Sequence, residues 1–238
     1  AALPAPPELV VVCVPAATVP QVIREAGQTG CRAVLIISAG FREAGAEGRQ
    51  LEQQVQAAAA EFEGLRIVGP NCLGVIAPHA GLNASFAATM PKPGHVAFVS
   101  QSGALCTSVL DWAEEQGLGF SCFVSVGNML DVGFDDLIDF LASDPHTQAL
   151  MLYVESITQA REFLSAARAF TRLKPIVAYK AGRFAQSAQA AASHTGALAG
   201  VDAVYEAAFA RAGIERVFEM EDLFDCAELL ARQPRISS

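Results

Sequence analysis

Residues 95–104 read His-Val-Ala-Phe-Val-Ser-Gln-Ser-Gly-Ala. A short apolar run gives way to Ser-Gln-Ser-Gly and then to a stretch with helical spacing, which predicts a strand over 95–100 and a helix over 103–116. The same alternation continues towards the C-terminus: strands over 121–127, 149–155, 175–181 and 214–217, with helices over about 134–142, 159–171, 200–212 and 221–232. Five strands alternating with helices predict a flavodoxin-like, doubly wound parallel sheet. Towards the N-terminus the alternation is broken at 89–94, Thr-Met-Pro-Lys-Pro-Gly, where two prolines and a glycine mark a domain boundary. Ahead of it, strands over 9–14, 32–38 and 65–69 with helices over 18–28 and 47–63 make a β-α-β-α-β unit. Residues 9–14 are apolar throughout, as a strand covered on both faces would be. Three strands are half of a Rossmann-like domain, so this first unit reads as part of a larger whole whose missing strands should flank residues 9–14. The expected fold is therefore α/β: a partial Rossmann-like unit over 1–90, then a flavodoxin-like unit over 91–238.

Composition sets the outer limits. With 238 residues, 52% of them hydrophobic and 17% charged, the chain has the material for packed cores and is not intrinsically disordered. No apolar run approaches the ~18 residues of a membrane span. The first residues, Ala-Ala-Leu-Pro-Ala-Pro-Pro, lack the basic region of a signal peptide. A net charge of −9 argues against general binding to nucleic acid or anionic membranes, so any polyanion would have to be held by local fields such as helix N-termini. The six cysteines, at 13, 31, 72, 106, 122 and 226, include no CxxC pair, and several lie in apolar runs. Reduced thiols in a cytoplasmic protein are expected, without a zinc site or a disulfide framework.

Four segments carry chemistry. Ser100-Gln101-Ser102-Gly103 stands where a strand ends and a helix begins: a phosphate site built from free N–H groups and the helix dipole, or simply an N-cap. In Ser193-His194-Thr195-Gly196-Ala197 a loop histidine is flanked by glycine; neutral imidazole is a nucleophile and phosphoryl carrier near pH 7, and a surface histidine is the plainer alternative. Glu155 closes an apolar strand at the edge where open α/β sheets bind ligands, and is either an acid that orients an imidazole or a solvated one. Gly69-Pro70-Asn71-Cys72-Leu73-Gly74, taken alone, is a tight turn. Asp131, Asp135 and Asp136 read as an acidic cluster at a helix N-terminus rather than as ligands, and His79, His95 and His146 have no supporting context.

Together and in this order, Val14-Pro15-Ala16, Ile37-Ser38-Ala39-Gly40-Phe41, Gly69-Pro70-Asn71-Cys72, Ser100-Gln101-Ser102-Gly103-Ala104 and Ser193-His194-Thr195-Gly196-Ala197 resemble the signatures of the NDP-forming acyl-CoA synthetase family. That family includes succinyl-CoA synthetase α subunits and ADP-forming acetyl-CoA synthetases. The resemblance covers essentially the whole chain. It implies that His194 is a phosphohistidine oriented by Glu155, and that phosphate lies at Gln101, Ser102 and Gly103, with Gly196 and Ala197 beside it. It places CoA along Val14, Pro15, Ala16, Ser38, Ala39 and Gly40, with the thiol end near Asn71 and Cys72. Acyl-CoA and phosphate are the implied small-molecule partners; ATP or ADP with Mg²⁺ would be held mainly by an ATP-grasp domain or subunit outside this chain. The family's first Gly-rich CoA loop has no counterpart here. Homo-oligomerisation, the acyl group and the make-up of the parent protein stay open. Two other readings compete: a regulatory module of the kind fused to bacterial protein lysine acetyltransferases, and a plain flavodoxin-like interaction domain.

Overall fold

A computed structural model describes residues 5–183 and 202–233, and within them the chain forms two sheets. The first consists of β1 (Val10–Val12), β2 (Ala33–Ile36) and β3 (Arg66–Val68), all parallel and in that order. Its crossovers are α1 (Val19–Gln28) and α2 (Ala46–Ala60). In α1, Val19, Ile23 and Ala26 recur at helical spacing and are all buried against the sheet. The strand expected to be covered on both faces is instead short and at an edge: β1 pairs with β2 alone, and Val11 is 42% exposed. An all-apolar run cannot by itself distinguish a central strand from an edge one, because the covering comes from elsewhere in the chain.

The second sheet has seven strands. Five are parallel: β6 (Lys92–Ser100), β7 (Gly119–Ser125), β8 (Ala149–Val154), β9 (Ile176–Lys180) and β10 (Glu215–Val217). Their spatial order, β7-β6-β8-β9-β10, is the flavodoxin-like order 2-1-3-4-5. Side chains alternate between two cores, as a strand period of two requires. Ala97 and Val99 of β6 pack with α4 (Phe134–Ser143), α5 (Ala160–Thr171) and α6 (Asp202–Ala212). Val96 and Phe98 pack with α3 (Gly103–Glu115) and α7 (Met220–Arg232). Both faces are covered, which is why the middle of β6 and most of β8 are apolar.

Two strands have no counterpart in the sequence reading. β4 (Gly74–Ala77) and β5 (Leu82–Ser85) form an antiparallel hairpin, and β4 adds to the sheet beside β7. The chain thus leaves the first sheet at Val68 and enters the second at Gly74, ahead of the 89–94 turn. Gly74 permits this: its φ is +129°, and a Cβ there would lie 2.3 Å from the Ala84 carbonyl oxygen. In the second core Phe123 is fully buried, its ring centroid 5.0 Å from Phe98 and 5.1 Å from Phe120. Phe123→Ala is expected to cost about 3–5 kcal/mol in urea unfolding, because the cavity cannot collapse between two aromatic neighbours; a loss within about 0.5 kcal/mol, the size of a surface change, would contradict this packing.

Candidate active site between the two sheets

In a 2-1-3-4-5 sheet the chain reverses direction between the first and third strands, and the helices that follow them leave on opposite faces. A crevice opens there at the carboxyl ends. The strands concerned are β6 and β8, and their ends are Ser100-Gln101-Ser102-Gly103 and Glu155-Ser156. The two ends are tied together: Gln101 Oε1 accepts hydrogen bonds from the backbone N–H groups of Glu155 (2.6 Å) and Ser156 (2.9 Å). Ser102 caps α3, its hydroxyl accepting from the Leu105 N–H at 3.3 Å, while its own N–H donates to Ser100 Oγ at 3.0 Å. At Gly103 a Cβ would meet only the Leu73 nitrogen, at 3.8 Å, so the helix start is open on its cleft side.

A cavity of about 330 Å³ lies over this edge. Its lining brings together Asn71, Cys72, Gln101, Ser102, Gly103 and Glu155, three segments that sequence alone treats separately. The first sheet contributes Ala39 and Arg42. The remaining residues assigned to CoA by resemblance stand beside one another at the carboxyl end of the first sheet. The Ser38 hydroxyl donates to the Val14 carbonyl at 2.6 Å, which holds Val14, Pro15 and Ala16 against the loop after β2. A Cβ on Gly40 would lie 3.2 Å from that of Ala16, so the two loops nearly touch. Of Val14, Pro15, Ala16, Ser38, Ala39 and Gly40, only Ala39 also lines the cavity. His194, Gly196 and Ala197 lie outside the described residues.

The sequence reading missed the residue on which this arrangement turns. Asn128, 5% exposed, follows β7 and reaches both sheets. Its Nδ2 donates to Glu43 (2.7 Å) and Glu52 (3.0 Å), and its Oδ1 accepts from Asn71 Nδ2 at 3.4 Å. Arg42 donates to the Asn128 carbonyl and lies 3.7 Å from Glu52. Glu43 in turn accepts from the N–H groups of Gly40 (2.7 Å) and Phe41 (3.0 Å), fixing the loop after β2. Burial pushes the Glu43 carboxyl up, but the hydrogen bonds from Asn128, Phe41 and Gly40 together outweigh it and leave the group below its ordinary value. The only local clue was position, a polar residue at the carboxyl end of a strand.

Other groups are chemically quiet. The Cys72 thiol is 3% exposed, donates to the Ile36 carbonyl at 3.3 Å and is pushed up to about 12 by burial, so it is no ready thiolate. Asp131 and Asp136 pair with Arg66, each at 2.9 Å, and Asp136 also accepts from the Gly133 N–H at the start of α4. On β9, Lys180 is buried with its Nζ 4.6 Å from the Tyr205 ring centroid, and burial lowers its pKa.

Because the Glu43 carboxyl is depressed, the stability it supplies is complete above the ordinary value of 4.5 and fades as pH falls through the lower, folded value. The difference in unfolding free energy between wild type and Glu43→Gln should therefore be largest above the ordinary value of 4.5 and shrink as pH falls below it. A difference that stays constant on both sides of that value would contradict the assigned hydrogen bonds.

Comparison with known proteins identifies the family. Residues 93–230 match the succinyl-CoA ligase like flavodoxin domain, and residues 1–78 match a CoA binding domain. The α subunit of an ADP-forming acetate–CoA ligase I from Pyrococcus furiosus is 44% identical, over 95% of this chain and 49% of its own length. An ADP-forming acetate–CoA ligase from Methanocaldococcus jannaschii is 43% identical, over 97% of this chain and 32% of its own. Among solved structures, a dinucleotide forming acetyl-coenzyme A synthetase 1 from Ca. Korarchaeum cryptofilum, in complex with phosphate and ADP, superposes with a TM-score of 0.93 at 38% identity, over 98% of this chain and 50% of that one. The chain thus spans between a third and a half of the length of these relatives. On sheet order, domain matches and identity alike, the chain belongs to the NDP-forming acyl-CoA synthetase family, as a CoA-binding domain followed by the succinyl-CoA ligase-like flavodoxin domain.

Proposed function

We propose that this chain is the CoA-binding and phosphohistidine-bearing part of a cytoplasmic ADP-forming acid–CoA ligase, which interconverts acyl-CoA, ADP and phosphate with the free acid, CoA and ATP. The observation that carries the reading is the shared cavity: Asn71 and Cys72, the helix start at Gln101, Ser102 and Gly103, and Glu155 line one space that the loops of the first sheet adjoin. Relatives named as ADP-forming ligases support it over the acetyltransferase-fused regulatory reading. We divide the chain at about residue 90, the first part holding CoA and the second the histidine. The ATP-grasp portion belongs to another subunit or to another part of a longer chain. Mg²⁺ goes with the nucleotide in that portion.

The chemistry follows from the assigned positions. A phosphate oxygen attacks the thioester carbonyl, the C–O bond forms as the C–S bond breaks, and CoA leaves as the thiolate. Helix N–H groups at the start of α3 offset the charge that develops. Nε2 of His194 then attacks the phosphorus of the acyl phosphate, and the P–O bond to the acyl group breaks to release the carboxylate. Glu155 holds Nδ1–H, which keeps Nε2 as the nucleophile. β9, which leads towards His194, ends beside the strand of Glu155, with Lys180 opposite Val154. Finally the N–P bond breaks as an ADP oxygen takes the phosphoryl group, after a movement that carries it to the ATP-grasp portion. Each step is reversible.

Full-length protein incubated with labelled ATP and Mg²⁺ should acquire acid-labile, base-stable label. His194→Asn should abolish that label and Glu155→Gln should slow its formation in a folded protein; label persisting in His194→Asn would overturn the mechanism. No enzyme thioester is needed, so Cys72→Ala should keep at least about a tenth of the rate of acyl-CoA formation, a loss below about 1.4 kcal/mol. Complete loss in a folded variant would make the thiol part of the chemistry.

A further inference from the structure

Phe86 follows β5 directly and keeps 62% of its surface exposed. Its backbone, however, is firmly held. The Phe86 N–H donates to the Leu73 carbonyl at 3.3 Å, and the Ala87 N–H donates to Ser85 Oγ at 3.1 Å. Ser85 Oγ donates in turn to Asn83 Oδ1 at 2.5 Å, and Asn83 Nδ2 donates to the Thr89 carbonyl at 3.3 Å. Thr89 also donates through its hydroxyl to Glu114 on α3, at 3.3 Å. Five hydrogen bonds thus fix the loop backbone from which the ring projects.

That place is the lining of the active cavity, which Phe86 shares with Ile37, Cys72 and Leu73 as well as with Glu155. The charged residues of the lining are Glu155 and Arg42, and the Arg42 guanidinium is engaged by Glu52 and the Asn128 carbonyl while its Nε is buried without a hydrogen-bond partner among the described residues. Phe86, Ile37 and Leu73 give the lining its large apolar side chains. An apolar group laid on the ring removes water from both surfaces, whereas an anionic group there would lose hydration and face the Glu155 carboxylate.

We propose that Phe86 is the specificity-determining residue for the acyl tail, favouring extended apolar tails by direct contact at the mouth of the cavity. This rests on the ligase reading above. It adds the residue that reads the part of the acid distant from the reacting carboxyl, a role carried by the β4–β5 hairpin and its following loop rather than by any of the phosphate or CoA segments.

The test measures kcat/KM for acyl-CoA formation by the full-length protein with acetate, butyrate and hexanoate, in wild type, Phe86→Ala and Phe86→Leu. One methylene in an apolar site is worth about tenfold or more in selection. The ratio of kcat/KM for the longest acid the wild type uses to that for acetate should therefore fall about tenfold in Phe86→Ala, with Phe86→Leu recovering most of it. A ratio unchanged in Phe86→Ala, a ratio that rises, or a wild type that uses acetate alone would each overturn the proposal while leaving the ligase reading intact. A folded wild type that forms no acyl-CoA from any of the three acids would instead remove the ligase reading, and this proposal with it. Exposure of the ring keeps the substitution within about 0.5 kcal/mol of wild-type stability, so folding does not confound the ratio.

Discussion

The backbone from residue 126 to 132 lies along residues 67–70, and this pairing joins the two sheets. The N–H of Asn128 donates to the Pro70 carbonyl (2.8 Å), that of Leu130 to Gly69 (2.9 Å) and that of Val132 to Ile67 (3.0 Å). Inside this seam the Asn128 amide satisfies Glu43, Glu52 and Asn71 at once. A buried polar network of this kind holds its parts in one arrangement in proportion as its members are paired, and here the Arg42 Nε alone of the network's side-chain atoms is buried without a partner among the described residues. The cavity is that arrangement: one side belongs to the loop after β2, the other to the ends of β6 and β8. Gly127 is part of the constraint, since its φ is +53° and a Cβ there would lie 2.2 Å from the Pro70 carbonyl oxygen.

Local fields reconcile so acidic a chain with the phosphate site we propose. A net charge of −9 repels anions at long range. At the cleft the balance is local: the start of α3 lines the space, and the Glu43 and Glu52 carboxylates are taken up by Asn128 and Arg42. Acidic residues elsewhere serve as struts, as Asp131 and Asp136 do on Arg66 across the two sheets.

Much of this was legible in the sequence because it is written locally. The apolar runs of β6 to β9, the helices between them and the charge closing β8 at Glu155 all follow from period and punctuation over a few residues, and with them the doubly wound sheet and its carboxyl edge. The β4–β5 hairpin was not legible: its strands are four residues each, with a proline and a glycine between, and the strand that joins it to the sheet, β7, lies elsewhere in the chain. The exposure of β1 depends on which strands flank it, which an apolar run does not record. Asn128 and Phe86 escaped for the same reason. Asn128 meets Glu43 from 85 residues away and Asn71 from 57, and Phe86 reaches the cavity only because the hairpin brings it there.

The central claim is that acyl transfer to phosphate takes place in the cleft between the two sheets. A crystal structure of the full-length protein with CoA and phosphate tests it most directly. The account predicts phosphate at the start of α3, within hydrogen-bond distance of the Ser102 and Gly103 N–H groups, and the CoA thiol beside Asn71 and Cys72 with its arm along residues 14–16 and 38–40. Phosphate and thiol bound apart from each other, with this cleft empty, would contradict it.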